Sequence, residues 1–198
     1  MNTSPLALEA LILTGGKSSR MGCPKALLGW KKSTLLEHLC EIIRPEVRCV
    51  KVVGAFSPAP FPFGPSIEFI DEADKVGPLG GIFAGLKTVK TEKTLVVACD
   101  MPFITRLAIR RLWENSPGFD VVIPRTSDGL HPLFGIYSKA CLPFMEGALS
   151  EGKRRPIAFF PFVKVHELEV NSFPENWIRI LRNINSQDDY QEALKEDR

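Results

Sequence analysis

The sequence predicts an α/β fold: a single three-layer α/β/α domain over residues 1–198, built on a mostly parallel sheet. Three observations carry this. Short, continuously apolar runs recur along the chain, as strands buried on both faces require. They alternate with segments whose apolar residues fall at helical spacing, the signature of parallel strands joined by crossover helices. No repeat, low-complexity tract or linker divides the chain, and 198 residues suit one core better than two.

Taken in order, Ala10–Leu13 is the first apolar run and ends at a glycine pair. Thr34–Ile43 has helical spacing, with Ser33 as N-cap and Pro45 as stop. Val50–Val53 is the next strand; the proline-rich stretch Ser57–Pro65 is a stiff loop. Ile67–Ile70 reads as a strand and Pro78–Val89 as a helix. Leu95–Cys99 is another buried strand, and Pro102 opens a helix running through Leu107 to Trp113. Val121–Pro124 follows as a strand, after which the alternation weakens. Leu133–Tyr137 and Val163–His166 are expected to cover the substrate side or form an edge.

Composition removes several functional classes. With 25 Lys and Arg against 23 Asp and Glu, the net charge is +2, too small for a nucleic-acid or membrane surface. The five cysteines, Cys23, Cys40, Cys49, Cys99 and Cys141, show no C-x-x-C spacing and read as reduced thiols. The segment Leu6–Leu13 is interrupted by Glu9 and lacks a basic region before it, and no later run approaches a membrane span. The expectation is a cytoplasmic protein.

The stretch Leu13-Thr14-Gly15-Gly16-Lys17-Ser18-Ser19-Arg20-Met21-Gly22-Cys23-Pro24-Lys25 follows the first strand. Ligands of open parallel sheets bind beyond the carboxyl ends of strands. Gly15, Gly16 and Gly22 let the backbone approach a ligand and turn N–H groups toward it. Lys17, Arg20 and Lys25 supply cations for phosphates. A solvated Gly/Ser turn is the competing reading, and the position after a strand counts against it. The spacing matches neither the dinucleotide G-x-G-x-x-G nor the Walker G-x-x-x-x-G-K-[ST].

This stretch resembles the L-x-G-G-x-S-x-R-M-G-x-x-K signature of nucleotidyltransferases built on a Rossmann-like sheet, the nucleotide-diphospho-sugar transferase type. The Gly-Gly pair is similar to that of the molybdenum cofactor guanylyltransferase family; Thr14 stands where a small apolar residue is more usual. The resemblance implies nucleotide contacts from Leu13, Thr14, Gly15, Gly16, Lys25, Asp71 and Asp100. It implies catalytic roles for Lys25, Arg20 and Asp100, with Asp100 holding Mg²⁺.

Asp100 directly follows the run Leu95–Cys99, and Cys99-Asp100-Met101-Pro102-Phe103 resembles the family's C-D-x-P-F. One carboxylate together with phosphate oxygens suffices for Mg²⁺; a turn-capping aspartate is the alternative. Asp71 occupies the acidic position of a D-x5-G-P-L-x-G-I element, where it reads guanine's donors or ribose unless it is a solvated loop charge. In the same element Gly77 and Pro78 set a helix entry, and Gly81 and Gly85 allow helix-on-sheet packing.

Further on, Leu130-His131-Pro132-Leu133-Phe134 resembles H-P-L-F, and Gly152-Lys153-Arg154-Arg155 resembles G-x-R-R. Asn183-Ile184-Asn185-Ser186-Gln187-Asp188-Asp189 is similar to N-I-N-T-P-E-D, with Ser186 and Asp189 forming a capping box. These matches imply His131, Arg154, Arg155, Asn183 and Asn185 as acceptor contacts, against a structural histidine and a solvated charge run as the bland alternatives.

The activity implied is transfer of GMP from GTP to the terminal phosphate of a molybdopterin-type acceptor, with transient contact to other proteins of cofactor biosynthesis. The attacking phosphate is already an anion at neutral pH, so no side-chain base is needed. Cations and oriented amides supply the catalysis. Two other readings stay open: a CTP-using or sugar-phosphate nucleotidyltransferase of the same fold, and a non-catalytic nucleotide-binding adaptor.

Overall fold

Alternation along the first strand, β1 (Glu9–Leu13), sets the layers: Ala10 and Ile12 enter one core, Leu11 and Leu13 the other. The computed structural model describes residues 4–14, 24–54, 67–70 and 77–196. Strands β4 (Val50–Val53), β5 (Ile67–Ile70) and β6 (Lys93–Ala98) run parallel with β1. Beyond β6 lie β9 (Phe134–Ser138), β7 (Val121–Thr126) and β10 (Val165–Glu169). Among the described residues eight strands form one sheet in the order β10-β7-β9-β6-β1-β4-β5, with the short β8 (Gly129–Leu130) paired to β7.

One face is covered by α1 (Leu35–Ile43) and α3 (Arg106–Glu114), whose buried Leu36, Leu39, Ile43, Ile109 and Leu112 join Ile12, Val52 and Val97. The other is covered by α2 (Gly77–Thr88) and α4 (Leu142–Ser150), with Leu79, Ile82, Leu86 and Met145 against Leu11, Val96 and Ile123. A fully buried leucine or isoleucine contributes roughly 1.5–3 kcal/mol, so these paired layers dominate folding. The three-layer, mostly parallel domain expected from the sequence is observed.

Four local expectations are corrected. The cap of α1 is Thr34: its hydroxyl accepts the Glu37 N–H at 3.3 Å and the Glu37 carboxylate accepts the Thr34 N–H at 2.6 Å. Ser33 instead pairs in a small hairpin of β2 (Gly29–Trp30) and β3 (Ser33–Thr34), turned by Lys31 at φ 53°. Pro102 lies in a turn, and α3 begins at Arg106 under a Thr105 cap whose hydroxyl accepts the Ala108 N–H at 3.1 Å. Leu133–Tyr137 is no edge: β9 is antiparallel between β6 and β7, its Gly135 backbone so close to β7 that a Cβ would lie 2.6 Å from the Val122 carbonyl oxygen. The edge strand near Val163 begins at Val165 and lies parallel beside β7.

Two helices, α5 (Trp177–Ile180) and α6 (Gln187–Glu196), close the chain. Ile184 and Ala193 join Trp30, Leu35 and Phe103 in a third, smaller core. That core fixes the end of the chain against the turn after β6.

Candidate active site

The chain leaves β1 for β4 on one side, while β6 lies on the other. This reversal opens a crevice at the carboxyl ends of β1 and β6, the place where open α/β sheets bind ligands. The two ends are tied by the Cys99 N–H donating to the Leu13 carbonyl at 2.9 Å. Thr14 is turned toward β4, its N–H and hydroxyl donating to the Val53 carbonyl at 2.8 and 3.0 Å.

Into this crevice project three polar side chains from distant parts of the sequence. The Lys25 ammonium donates to Asp100 Oδ2 and to Asn185 Oδ1, both at 2.9 Å. Lys25 starts a short 3-10 turn, Lys25–Leu27, pinned by buried Ala26. Asp100 stands two residues past the end of β6, and its carbonyl accepts the Ile184 N–H at 2.8 Å. Asn185 is held from behind: Asp189 Oδ2 accepts the N–H groups of Asn185 and Ser186 at 3.0 and 2.8 Å. Ser186 accepts the Asp189 N–H at 3.1 Å, completing the capping box expected there. Those amides, Asn185 first, hold the Asp189 carboxyl below the usual carboxylate range.

The surroundings are stiff. His38 on α1 donates through Nε2 to the Pro102 carbonyl at 2.9 Å, bracing the turn that follows Asp100. Its ring lies 5.6 Å from that of Trp30, which meets Phe103 edge-on at 5.8 Å. Tyr190 on α6 donates its hydroxyl to the Gly29 carbonyl. Burial pushes the Cys99 thiol up to about 12, so the residue beside Asp100 is a neutral packing group and no nucleophile.

The donor set suits a hard divalent cation shared with a triphosphate. Asp100 and Lys25 are 20% and 19% exposed, open to a ligand yet partly screened from water. A carboxylate and an amide oxygen already converge on one positive charge. Among the described residues no group of three or more His, Cys, Asp or Glu side chains forms a cage. Magnesium needs none, since it keeps waters and phosphate oxygens as ligands.

The other candidates separate into three places. The Arg154 carbonyl accepts the Leu79 N–H at 3.1 Å, and Gly77, at φ 79°, lies where a Cβ would come 3.3 Å from Arg154 Cβ. The G-x-R-R turn is thus docked on the entry of α2, with Arg154 and Arg155 exposed. His131 lies past the end of β7, hydrogen-bonded through Nε2 to Thr126 Oγ1 at 2.9 Å. Burial, partly countered by Asp128, pulls its pKa below the ordinary imidazole value. Asn183 is exposed next to buried Ile184. Gly15, Gly16, Lys17, Arg20 and Asp71 lie outside the described residues, as does the Ser57–Pro65 segment.

A family model described as a MobA-like NTP transferase domain matches residues 10–164, a span that begins in β1 and ends just before β10. The chain belongs to that family. It is an enzyme of the nucleotidyltransferase class. A probable molybdenum cofactor guanylyltransferase from Carboxydothermus hydrogenoformans is 36% identical over 190 residues, 95% of each chain. Another from Pelotomaculum thermopropionicum is 37% identical over 179 residues, covering 90% of this chain and 84% of the relative. Molybdopterin-guanine dinucleotide biosynthesis protein A from Archaeoglobus fulgidus shares the fold, with a TM-score of 0.79, 24% identity and coverage of 96% and 98%.

For this member of the family, sequence reasoning missed the supports of the site. His38, Trp30 and Tyr190 carry no motif, and only the fold brings them to the crevice. Asp189 was legible as a helix cap but not as the holder of Asn185. Asn185 itself, implied as an acceptor contact, sits directly on Lys25.

Proposed function

We propose that this nucleotidyltransferase transfers GMP from GTP to the terminal phosphate of molybdenum-bearing molybdopterin, giving the guanine dinucleotide and pyrophosphate. The observation that supports this best is Lys25 bridging Asp100 and Asn185 at the carboxyl end of the central strands. An acceptor phosphate oxygen bonds to the α-phosphorus, the bond from that phosphorus to the bridging oxygen breaks, and pyrophosphate leaves with the electron pair. The acceptor is already ionised, so no side chain has to take a proton. The work of the protein is to bring two anions together.

In this reading Lys25 and Arg20 neutralise the phosphates, and Leu13, Thr14, Gly15 and Gly16 contribute the backbone of the nucleotide loop. Asp71 accepts from guanine or ribose, and Asp100 holds Mg²⁺, which supplies charge neutralisation to the triphosphate. Asn183, Asn185, His131, Arg154 and Arg155 face the acceptor. The described cysteines Cys40, Cys99 and Cys141 are buried thiols outside any disulfide, in keeping with work in the reducing cytoplasm. No helix among the described residues is long and apolar enough to cross a membrane. Hand-over of the product to other proteins of cofactor biosynthesis completes the proposal.

The test is thermal unfolding with Mg²⁺ and each of GTP, CTP, ATP and UTP, followed by transfer of α-labelled nucleotide to the acceptor. A nucleotide at 100 times Kd stabilises the fold by about 2.7 kcal/mol. A GTP-selective shift that Mg²⁺ strengthens, with label reaching the pterin, supports the proposal. Selectivity for CTP changes the substrate, and absence of any shift overturns the reading.

A further inference from the structure

We propose that Arg179 and Arg182 form an oxyanion subsite beside the transfer centre, plugged by the carboxylate of Glu196. A cavity of about 390 Å³ opens past the end of β7, lined by Asp128, His131, Ile178, Arg179, Arg182 and Glu196 among others. Arg182 donates through Nη1 to Glu196 Oε1 at 2.5 Å and through Nη2 to Glu192 Oε2 at 2.7 Å. Arg179 donates through Nη2 to the Glu196 carbonyl at 3.4 Å, and its Nε lies 3.9 Å from Glu196 Oε2.

Two features mark Glu196 as a replaceable occupant. It is the last residue of α6, the negative end of the helix dipole, where a carboxylate is disfavoured. Its side chain is 44% exposed, and exposed ion pairs contribute little. Two guanidinium forks, by contrast, match the geometry of a tetrahedral oxyanion carrying more charge than one carboxylate. Arg179 is also seated, its guanidinium 4.5 Å from the centre of the Phe103 ring.

The subsite and the reacting centre are joined by a short stretch of backbone: Arg182 precedes Asn185 by three residues, which span at most about 11 Å of chain. Ile178, 74% exposed, gives the cavity an apolar wall. The identity of the natural ligand rests on the proposed function: with the acceptor phosphate at Lys25 and Asp100, the subsite takes the opposite, oxo-bearing end of the acceptor. Free inorganic phosphate has the same chemistry and is the other source.

Inorganic phosphate is the probe, titrated calorimetrically into the wild type, Glu196→Gln, Arg182→Gln and the double variant. Removing the plug is expected to tighten phosphate binding at least about fivefold, and the gain is expected to vanish in the double variant. The comparison isolates this cavity from phosphate bound elsewhere. Unchanged affinity in Glu196→Gln, or a gain that survives loss of Arg182, overturns the subsite. In the transfer assay, a lower acceptor KM at unchanged kcat in Glu196→Gln assigns the site to the acceptor. An unchanged KM alongside tighter phosphate binding assigns it to the free anion. Should GMP transfer itself fail, the proposed function falls while the phosphate cycle still decides the subsite.

Discussion

Lys25 and Asp100, 75 positions apart, meet at 2.9 Å with their charges paired at the mouth of the sheet. The pair is one-fifth exposed, a degree of burial at which an ion pair adds little to stability but a ligand can still reach both partners. Under the proposed function its value is therefore chemical: the pair sets an ammonium and a carboxylate side by side at the carboxyl ends of the central strands.

Lys25→Ala is expected to lower turnover roughly 10²- to 10³-fold, the scale of removing one preorganised donor to developing charge. Its thermal midpoint should barely move, because a partly exposed pair contributes about 1 kcal/mol or less. Steady-state kinetics beside a melting curve separates the two effects. Unchanged turnover removes Lys25 from the chemistry.

Asp189 secures Asn185 and caps α6 with one carboxylate. Asp189→Ala should destabilise the protein by about 1 kcal/mol, as loss of a helix cap does. The sign of its pH dependence follows from its lowered folded pKa. Its contribution is complete above the ordinary carboxylate value of about 3.9 and is lost as pH falls through the folded value. Denaturant midpoints of wild type and Asp189→Ala should therefore converge on acidification below about pH 4, and a constant gap overturns this account.

His131 titrates at higher pH. Burial lowers its folded pKa below the unfolded value of about 6.5, so the unfolded chain takes up the proton first. Its contribution is present above that pH and falls as acid is added toward the folded pKa. His131→Gln should flatten the fall in melting temperature between about pH 7 and pH 5. An equally steep fall in the variant places the titrating group elsewhere.

How far the sequence carries can be judged from particular residues. The runs at Ala10, Val50 and Leu95 are legible as buried strands because both faces are apolar, and parallel pairing follows from the helices between them. The neighbour of a strand is not encoded in its own pattern, which is why β9 reads as an edge when it lies between β6 and β7. Thr34 as cap was available from Thr34-x-x-Glu37, a capping-box spacing that Ser33 lacks. The motif residues Lys25, Asp100 and Asn185 do meet. The cluster of Trp30, Phe103 and Ile184 that aligns them is a product of tertiary packing, spread over more than 150 positions with no local signature.

Two glycines, one buried and one exposed, give tests of helix packing with opposite signs. Gly85 in α2 faces the sheet so closely that an added Cβ would lie 2.5 Å from Leu11 Cδ1 and 3.1 Å from Val53 Cγ2. Leu11 and Val53 are fully buried, so neither can swing into solvent. Overpacking of that kind costs typically 1–3 kcal/mol, of which better helix propensity recovers about 1 kcal/mol. Gly147 in α4 is exposed, and a Cβ there would meet nothing within 4 Å. Gly147→Ala should accordingly stabilise by roughly 0.5–1 kcal/mol through the unfolded chain's lost freedom. At this chain length 1 kcal/mol shifts the melting temperature by about 2–4 °C, so calorimetry resolves both variants. Gly85→Ala should melt lower and Gly147→Ala higher than the wild type, and Leu11→Val should recover part of the Gly85→Ala loss by shortening the side chain it strikes. If Gly85→Ala melts at or above the wild type, α2 stands farther from β1 than this packing requires.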